Sequence, residues 1–365
     1  MKKIPFNPAE MQISGFFPNF YTGEPGARYT PPVSSKENVI AALEGHPYWQ
    51  PTPADFGFFS PPIIPDTIAR GLRIDSNVSV KDLQNSPKGG PDMFGVEWEF
   101  IEKVGGSMVR PGAPLLSDAN EWREKVVFPD IDSWDWEGFA AQYNDALLKR
   151  PEFVYIEFCN GCWFERLVSF MDFENAAMAL IDEEQQDAIK ELFEKTTDLY
   201  CRLVDKFCEH LVGFDAFDVH DDWGSQQAPF FSETIAREMI VPYMRKLTDH
   251  IHSKGKYAIY HSCGHNEDRI ACIIDAGWDC WWPQLMNNGP KLYEEYGDKI
   301  LLAVCYPLPA GLTEEEQRKE AQNYVQRFCK PGKPSMMSFY GLGMMTPVFN
   351  EELYRGSRIA YSKDG

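Results

Sequence analysis

The chain is short of positive charge. Its 35 Lys and Arg stand against 55 Asp and Glu, a formal net charge of -20 over 365 residues. Phosphate recognition wants clustered Lys and Arg, so this balance argues against a nucleic-acid partner. No uninterrupted apolar run reaches the roughly 18 residues of a membrane-spanning helix, so no membrane span is expected. The opening Met1-Lys2-Lys3-Ile4-Pro5-Phe6-Asn7-Pro8 has lysines but no apolar stretch behind them, unlike a secretory signal. The nine cysteines are odd in number and scattered. Without a secretion signal they read as reduced thiols of a cytoplasmic protein. No glycine-rich phosphate fingerprint follows any predicted strand, which weakens a dinucleotide-binding sheet.

Apolar residues, 44% of the chain, are ample for one large core. Residues 1 to 35 are rich in Pro, Gly and aromatics and read as an irregular arm, which with a helix over Ser35 to Leu43 makes an N-terminal segment of residues 1 to 50. From residue 51 to 365 the expectation is a single domain. After residue 150 strands and helices alternate. Strands are expected at Glu152 to Phe158, Phe214 to His220, Tyr257 to His261, Trp278 to Trp282, Ile300 to Tyr306 and Ser335 to Tyr340. Helices fall between them, one opening at Ser232, a good N-cap. With one or two strands near Thr52 to Phe59 the total is about eight, the number a closed (β/α)8 TIM barrel needs. The fold class expected is therefore α/β, a single (β/α)8 barrel with an irregular N-terminal extension. An open doubly wound sheet is the alternative.

In such a barrel, chemistry gathers where strands end. His261-Ser262-Cys263-Gly264 sits at one such end. In an extended segment His261 and Cys263 share a side, where a borderline and a soft ligand can grip one metal ion. Buried His and Cys are also common in cores, so the pair alone is weak. Catalytic zinc wants three protein ligands. Cys305 is the first candidate for the third, with Asp222, Glu157 and Cys159 behind it. Cys159-Asn160-Gly161-Cys162 has no second C-x-x-C to complete a structural zinc site. In Asp221-Asp222 neighbouring side chains point to opposite faces, so at most one faces the site; the other reading is a helix cap. His220 or Asp222 is the candidate acid. Gln226 and Gln227 can hydrogen-bond a polar ligand, or hold their own loop. Trp223, Trp282, Tyr306 and Tyr340 can wall a flat apolar substrate, or pack the core.

Three blocks carry a family likeness. They are Asp221-Asp222-Trp223-Gly224-Ser225-Gln226-Gln227, the segment Ser232 to Leu247, and His261-Ser262-Cys263-Gly264 followed by Ile274-Asp275-Ala276-Gly277-Trp278-Asp279. Together they resemble the uroporphyrinogen decarboxylase superfamily, and more closely its cobalamin-dependent methyltransferase branch. The likeness covers roughly residues 150 to 350. It implies a (β/α)8 barrel, zinc, and a corrinoid presented by a partner protein, since no D-x-H-x-x-G corrinoid signature is present. True decarboxylases carry R-Q-A-G-R; the matching Tyr48 to Asp55 has no arginine, so a carboxylate-rich porphyrinogen would lack its clamp. The thiol-side zinc methyltransferases add a cysteine from a C-terminal glycine-rich turn, where Leu342 stands here. The resemblance thus implies a methyltransferase taking a methyl group from a small methylated substrate, such as a methoxy-aromatic (O-demethylation), to a corrinoid protein. His261, Cys263 and Cys305 would be the metal ligands. The alternatives are a thiol-side methylcobamide methyltransferase, a decarboxylase-like lyase and a non-catalytic tetrapyrrole or corrinoid binder.

Overall fold

A computed structural model describes residues 3–17, 19, 24–71, 88–103, 106–304, 306, 308–338 and 343–362. Contacts divide the chain into two compact units. One comprises Phe58–Arg150 and Val154–Trp278, the other Met1–Gly57, Pro151–Phe153 and Asp279–Gly365.

The first unit is built on the parallel strands Phe153–Asn160, Ala216–His220 and Tyr257–Ser262, paired in chain order. Their register aligns Asn160 with His220, and His220 with His261, so three C-terminal strand ends lie level. Val154, Tyr155, Ile156, Phe158, Ala216, Phe217, Val219, Ala258, Ile259 and Tyr260 are all buried. Such apolar runs belong to parallel strands covered on both faces. The return from the first strand to the second uses the helices Phe164–Met171, Phe173–Ala179 and Gln186–His210. The last buries Ile189, Leu192, Phe193, Thr196, Tyr200, Leu203, Val204 and Phe207, a stripe at helical spacing. The return to the third strand opens at Ser232, whose side chain accepts from the Ile235 N–H at 3.2 Å. It divides into Glu233–Met239 and Val241–Ser253, because Pro242 supplies no N–H at the start of the second helix. Gly90–Pro91, Glu97–Ile101 and Gly106–Val109 form an antiparallel sheet. Arg166, 1% exposed, reaches Asp92 at 2.6 Å and also pairs with Asp66, anchoring the helix Pro65–Ala69.

In the second unit Cys280–Pro283, Leu301–Val304 and Met336–Met337 also pair parallel in chain order. Gly289–Tyr296 and Glu314–Phe328 are the returning helices, the second opening on a Thr313 capping box. Among the described residues the regular pairing of the last two strands includes Ala303 with Met336 and Val304 with Met337. Both units thus repeat strand, helix and parallel strand, the α/β class read from the sequence. No helix among the described residues is long and apolar enough to cross a membrane.

The N-terminal arm has more order than its composition announced. It holds a 3-10 turn at Pro8–Met11, a ribbon of Gly15–Phe17 and Gly26–Arg28, and the expected helix Ser35–Leu43. Glu10 and Arg358, both buried, form a bidentate pair at 2.7 and 3.0 Å that ties the arm to the helix Pro347–Ser362. Burial would raise the Glu10 carboxyl, but the Arg358 hydrogen bond and charge and the Asn7 N–H hold it below its ordinary 4.5. A depressed acid contributes stability above its unfolded value and loses it as pH falls through the folded one. Glu10→Gln is expected to cost about 3 kcal/mol near pH 7, and less at pH 4 and below. Urea unfolding at the two pH values measures the difference; an equal cost at both would refute the linkage.

Candidate functional site

Two loops leave adjacent strand ends and run side by side. Asp221 N–H donates to His261 O at 3.2 Å, Trp223 N–H to Ser262 Oγ at 3.0 Å, and His265 N–H to Ser225 O at 2.7 Å. Gly264, at φ +91°, lies against the Gly224 backbone, where a Cβ would come within 2.0 Å of the Gly224 carbonyl oxygen. Only glycine allows both that φ and that approach. The glycine of the H-S-C-G tetrapeptide is therefore a packing requirement.

The side chains that emerge from these loops converge. One ligand atom each from Asp222, His261 and Cys263 lies within 4.8 Å of the others. His261 Nε2 is 3.4 Å from Cys263 Sγ, and the Cys263 N–H donates to Asp222 Oδ1 at 2.6 Å. Burial pushes the Cys263 thiol well up, and the Asp222 charge adds to it. Burial raises the Asp222 carboxyl too. Oxygen, nitrogen and sulfur donors, partly buried, with the acid and the thiol held against ionisation, are a set that a divalent cation would relieve.

Just beyond the strand end, Asp221 and Asp222 part company. The Asp221 carboxylate, fully buried, accepts the N–H groups of Trp163, Phe164 and Glu165, each at 3.1 Å, and the Trp223 indole N–H at 2.9 Å. It caps the start of the helix Phe164–Met171. Burial, with the Glu165 charge, raises its pKa to about 6 against those four donors.

A second layer lies one step deeper along the strands. His220 Nε2 is 2.9 Å from Asp218 Oδ2, and its ring centroid is 4.9 Å from that of His261. Burial pushes the imidazole down, but the charge and hydrogen bond of Asp218, joined by Glu157 and Asp222, outweigh it and raise His220 to about 9. Burial lifts Glu157, which accepts from Ser60 Oγ, to about 7.

The remaining sequence candidates fall variously. Trp223 is wholly buried, its indole given to Asp221. Gln226 and Gln227 are exposed on the turn closed by Ser225 N–H to Ala228 O. In the other unit Trp282 is buried edge-on to Phe56, and half-buried Tyr306 stacks on Tyr324. Cys305, Tyr340 and Leu342, and the Cys159 side chain, lie outside the described residues.

Three neighbours carried no sequence signal that was read. Glu165 accepts the Asp222 N–H at 3.0 Å, and Arg70 Nη1 sits 3.6 Å from its other oxygen. Asp218 was legible in principle: Asp218-Val219-His220 sets two polar side chains on one face of an otherwise buried strand. Glu165 and Arg70 come from segments whose pairing only the tertiary fold creates.

Residues 150–288 match the family model described as Uroporphyrinogen decarboxylase (URO-D). No curated protein matches the chain. The matched segment contains both loops and every residue of the Asp222, His261 and Cys263 cluster, and its parallel strand and helix repeats are consistent with a TIM-barrel-like fold. Over this segment, less than half of its length, the chain is similar to the uroporphyrinogen decarboxylase family.

Proposed function

We propose that the protein is a methyltransferase acting on the substrate side of a corrinoid-dependent system. It takes the methyl group of a small methyl ether, a methoxy-aromatic first among them, and gives it to a corrinoid held by a separate protein in the cytoplasm. The observation that carries this reading is the convergence of Asp222, His261 and Cys263 at level strand ends. Zinc, when held by these residues, supplies a Lewis acid for the ether oxygen.

The chain's own residues do the rest. Asp222 accepts the Cys263 N–H and so fixes the backbone that presents the thiol. Asp222 is thereby committed to the cluster, which leaves His220 as the acid. Asp218 holds one imidazole proton at Nε2, so the Nδ1 proton is the one available for transfer. As the methyl carbon leaves its oxygen for the cobalt of the partner's corrinoid, the C–O electron pair stays on that oxygen and the His220 proton joins it. The released product is the hydroxyl compound, a far better leaving group than a bare alkoxide.

The test is metal content with transfer. Purified protein is expected to hold about one zinc per chain. It should demethylate an aryl methyl ether with Co(I) corrinoid as acceptor, lose that activity to a chelator and regain it with zinc. Zinc-replete protein that demethylates no aryl methyl ether would overturn the reading.

A further inference from the structure

A cavity of about 220 Å³ lies where the N-terminal ribbon, the start of the helix Ser35–Leu43 and the helix Pro347–Ser362 meet. All of its lining residues belong to one compact unit, and none is shared with the Asp222, His261 and Cys263 cluster. It is smaller than the roughly 300–1,000 Å³ that drug-sized ligands fill, so it suits a small metabolite. Four aromatic rings line it, those of Phe17, Tyr29, Trp49 and Tyr354. Tyr29 and Tyr354 stack with centroids 4.9 Å apart, and Trp49 meets Tyr354 at 55° and 6.1 Å. Two of the polar edges are spent. Trp49 Nε1–H donates to Asp55 at 3.2 Å, and Tyr354 O–H to Glu10 at 3.1 Å. What such rings still offer a ligand is π-surface, which attracts cations.

Asp55 brings a buried negative charge to the same cavity. One of its oxygens accepts Ser35 Oγ at 2.7 Å and the Trp49 indole; the other accepts the Thr52 N–H at 2.9 Å and Thr52 Oγ1 at 3.2 Å. Two donors on each oxygen fill the roughly four lone-pair sites of a carboxylate. Among the described residues no cation pairs with it directly. Arg28 acts on it through space, and gives its own N–H groups to Ala54 O at 2.9 Å and Glu152 at 3.3 Å. A ligand cation would supply the missing counter-charge. One that bears N–H groups would find the acceptor sites of Asp55 taken, whereas a quaternary ammonium needs none. Arg28, half-buried, also lines the cavity, so a bare cation would meet a like charge and a zwitterion would not.

We propose that this cavity binds a small zwitterion of the betaine class, its trimethylammonium group among the rings beside Asp55 and its carboxylate toward Arg28. The lining holds no Cys or His, so the ligand is bound there and not transformed. The site is independent of the methyltransferase reading. Titration calorimetry of the full chain with glycine betaine should give a Kd below about 1 mM. That is far under the concentrations at which osmolytes stabilise any fold by exclusion. The isostere 3,3-dimethylbutanoate puts carbon in place of nitrogen, keeping the shape and the carboxylate but losing the positive charge. It should bind at least about tenfold more weakly. Tyr29→Leu should weaken betaine about tenfold, and Arg28→Met should weaken betaine but not choline, which has no carboxylate. Cys263→Ala should leave betaine binding unchanged. No betaine binding at about 10 mM, equal binding of the isostere, undiminished binding in Tyr29→Leu, or loss of binding in Cys263→Ala would each overturn the site. If Tyr29→Leu does not fold, the comparison of betaine with its isostere in the parent protein decides.

Discussion

Cys263→Ala should yield a folded protein holding less than about a tenth of the parent's zinc, with methyl transfer down about a thousandfold, some 4 kcal/mol of transition-state stabilisation. Among the described residues the thiol is one of three donors that converge, so its loss leaves a carboxylate and an imidazole of that set, too few to hold catalytic zinc. The fold should tolerate the change, because Cys263 is only partly buried and its backbone N–H still reaches Asp222. Asp222→Asn is the informative companion. It keeps an acceptor for the Cys263 N–H but drops the charge, so zinc should weaken without vanishing. Cys201→Ala, a thiol on the distant helix Gln186–His210, is the control and should keep its zinc. Parent-level zinc in Cys263→Ala, measured by elemental analysis, would sink the metal site.

Asp221→Ala should be the most damaging single change to stability near the site, about 3–5 kcal/mol by urea unfolding of zinc-loaded protein. Four buried donors converge on this carboxylate, three from one helix start and one from Trp223. Alanine leaves all four unanswered where water does not reach. Asp221→Asn should be nearly as harmful, since its amide turns two donors toward donors. Trp223→Phe removes a single bond and should cost about 1 kcal/mol. A loss for Asp221→Ala no larger than that of Trp223→Phe would refute the capping role.

How much of this was legible follows the range of the interactions. The helix Ser35–Leu43 carries its own capping box and apolar spacing and was read to the residue. The Asp221 and Asp222 divergence was expected from strand alternation, but both residues lie in the loop past His220, where their hydrogen bonds set their directions. The third donor was less plain. Cys305 ranked ahead of Asp222 because it ends the next-but-one strand; it lies outside the described residues, and among those described Asp222 is the residue that joins the pair. Trp223 shows the opposite hazard. It occupies a strand-end loop, yet its indole answers a buried acid, and sequence cannot say which way a ring in a loop will turn. Arg70 lies in a stretch whose composition marks only a loop. Its place beside Glu165 comes from the tertiary fold, since the two are not adjacent in sequence.

The contact between Gly224 and Gly264 sets how this site can be transplanted. At Gly264 the backbone of one loop rests directly on that of the other, so nothing there absorbs a change of length or pitch. Grafting the Asp222 loop alone onto a related barrel would place its carboxylate against a foreign partner and spoil the spacing to the thiol. The exchangeable module is the pair of loops with both glycines, and libraries that vary one while holding the other fixed should recover few metal-binding clones.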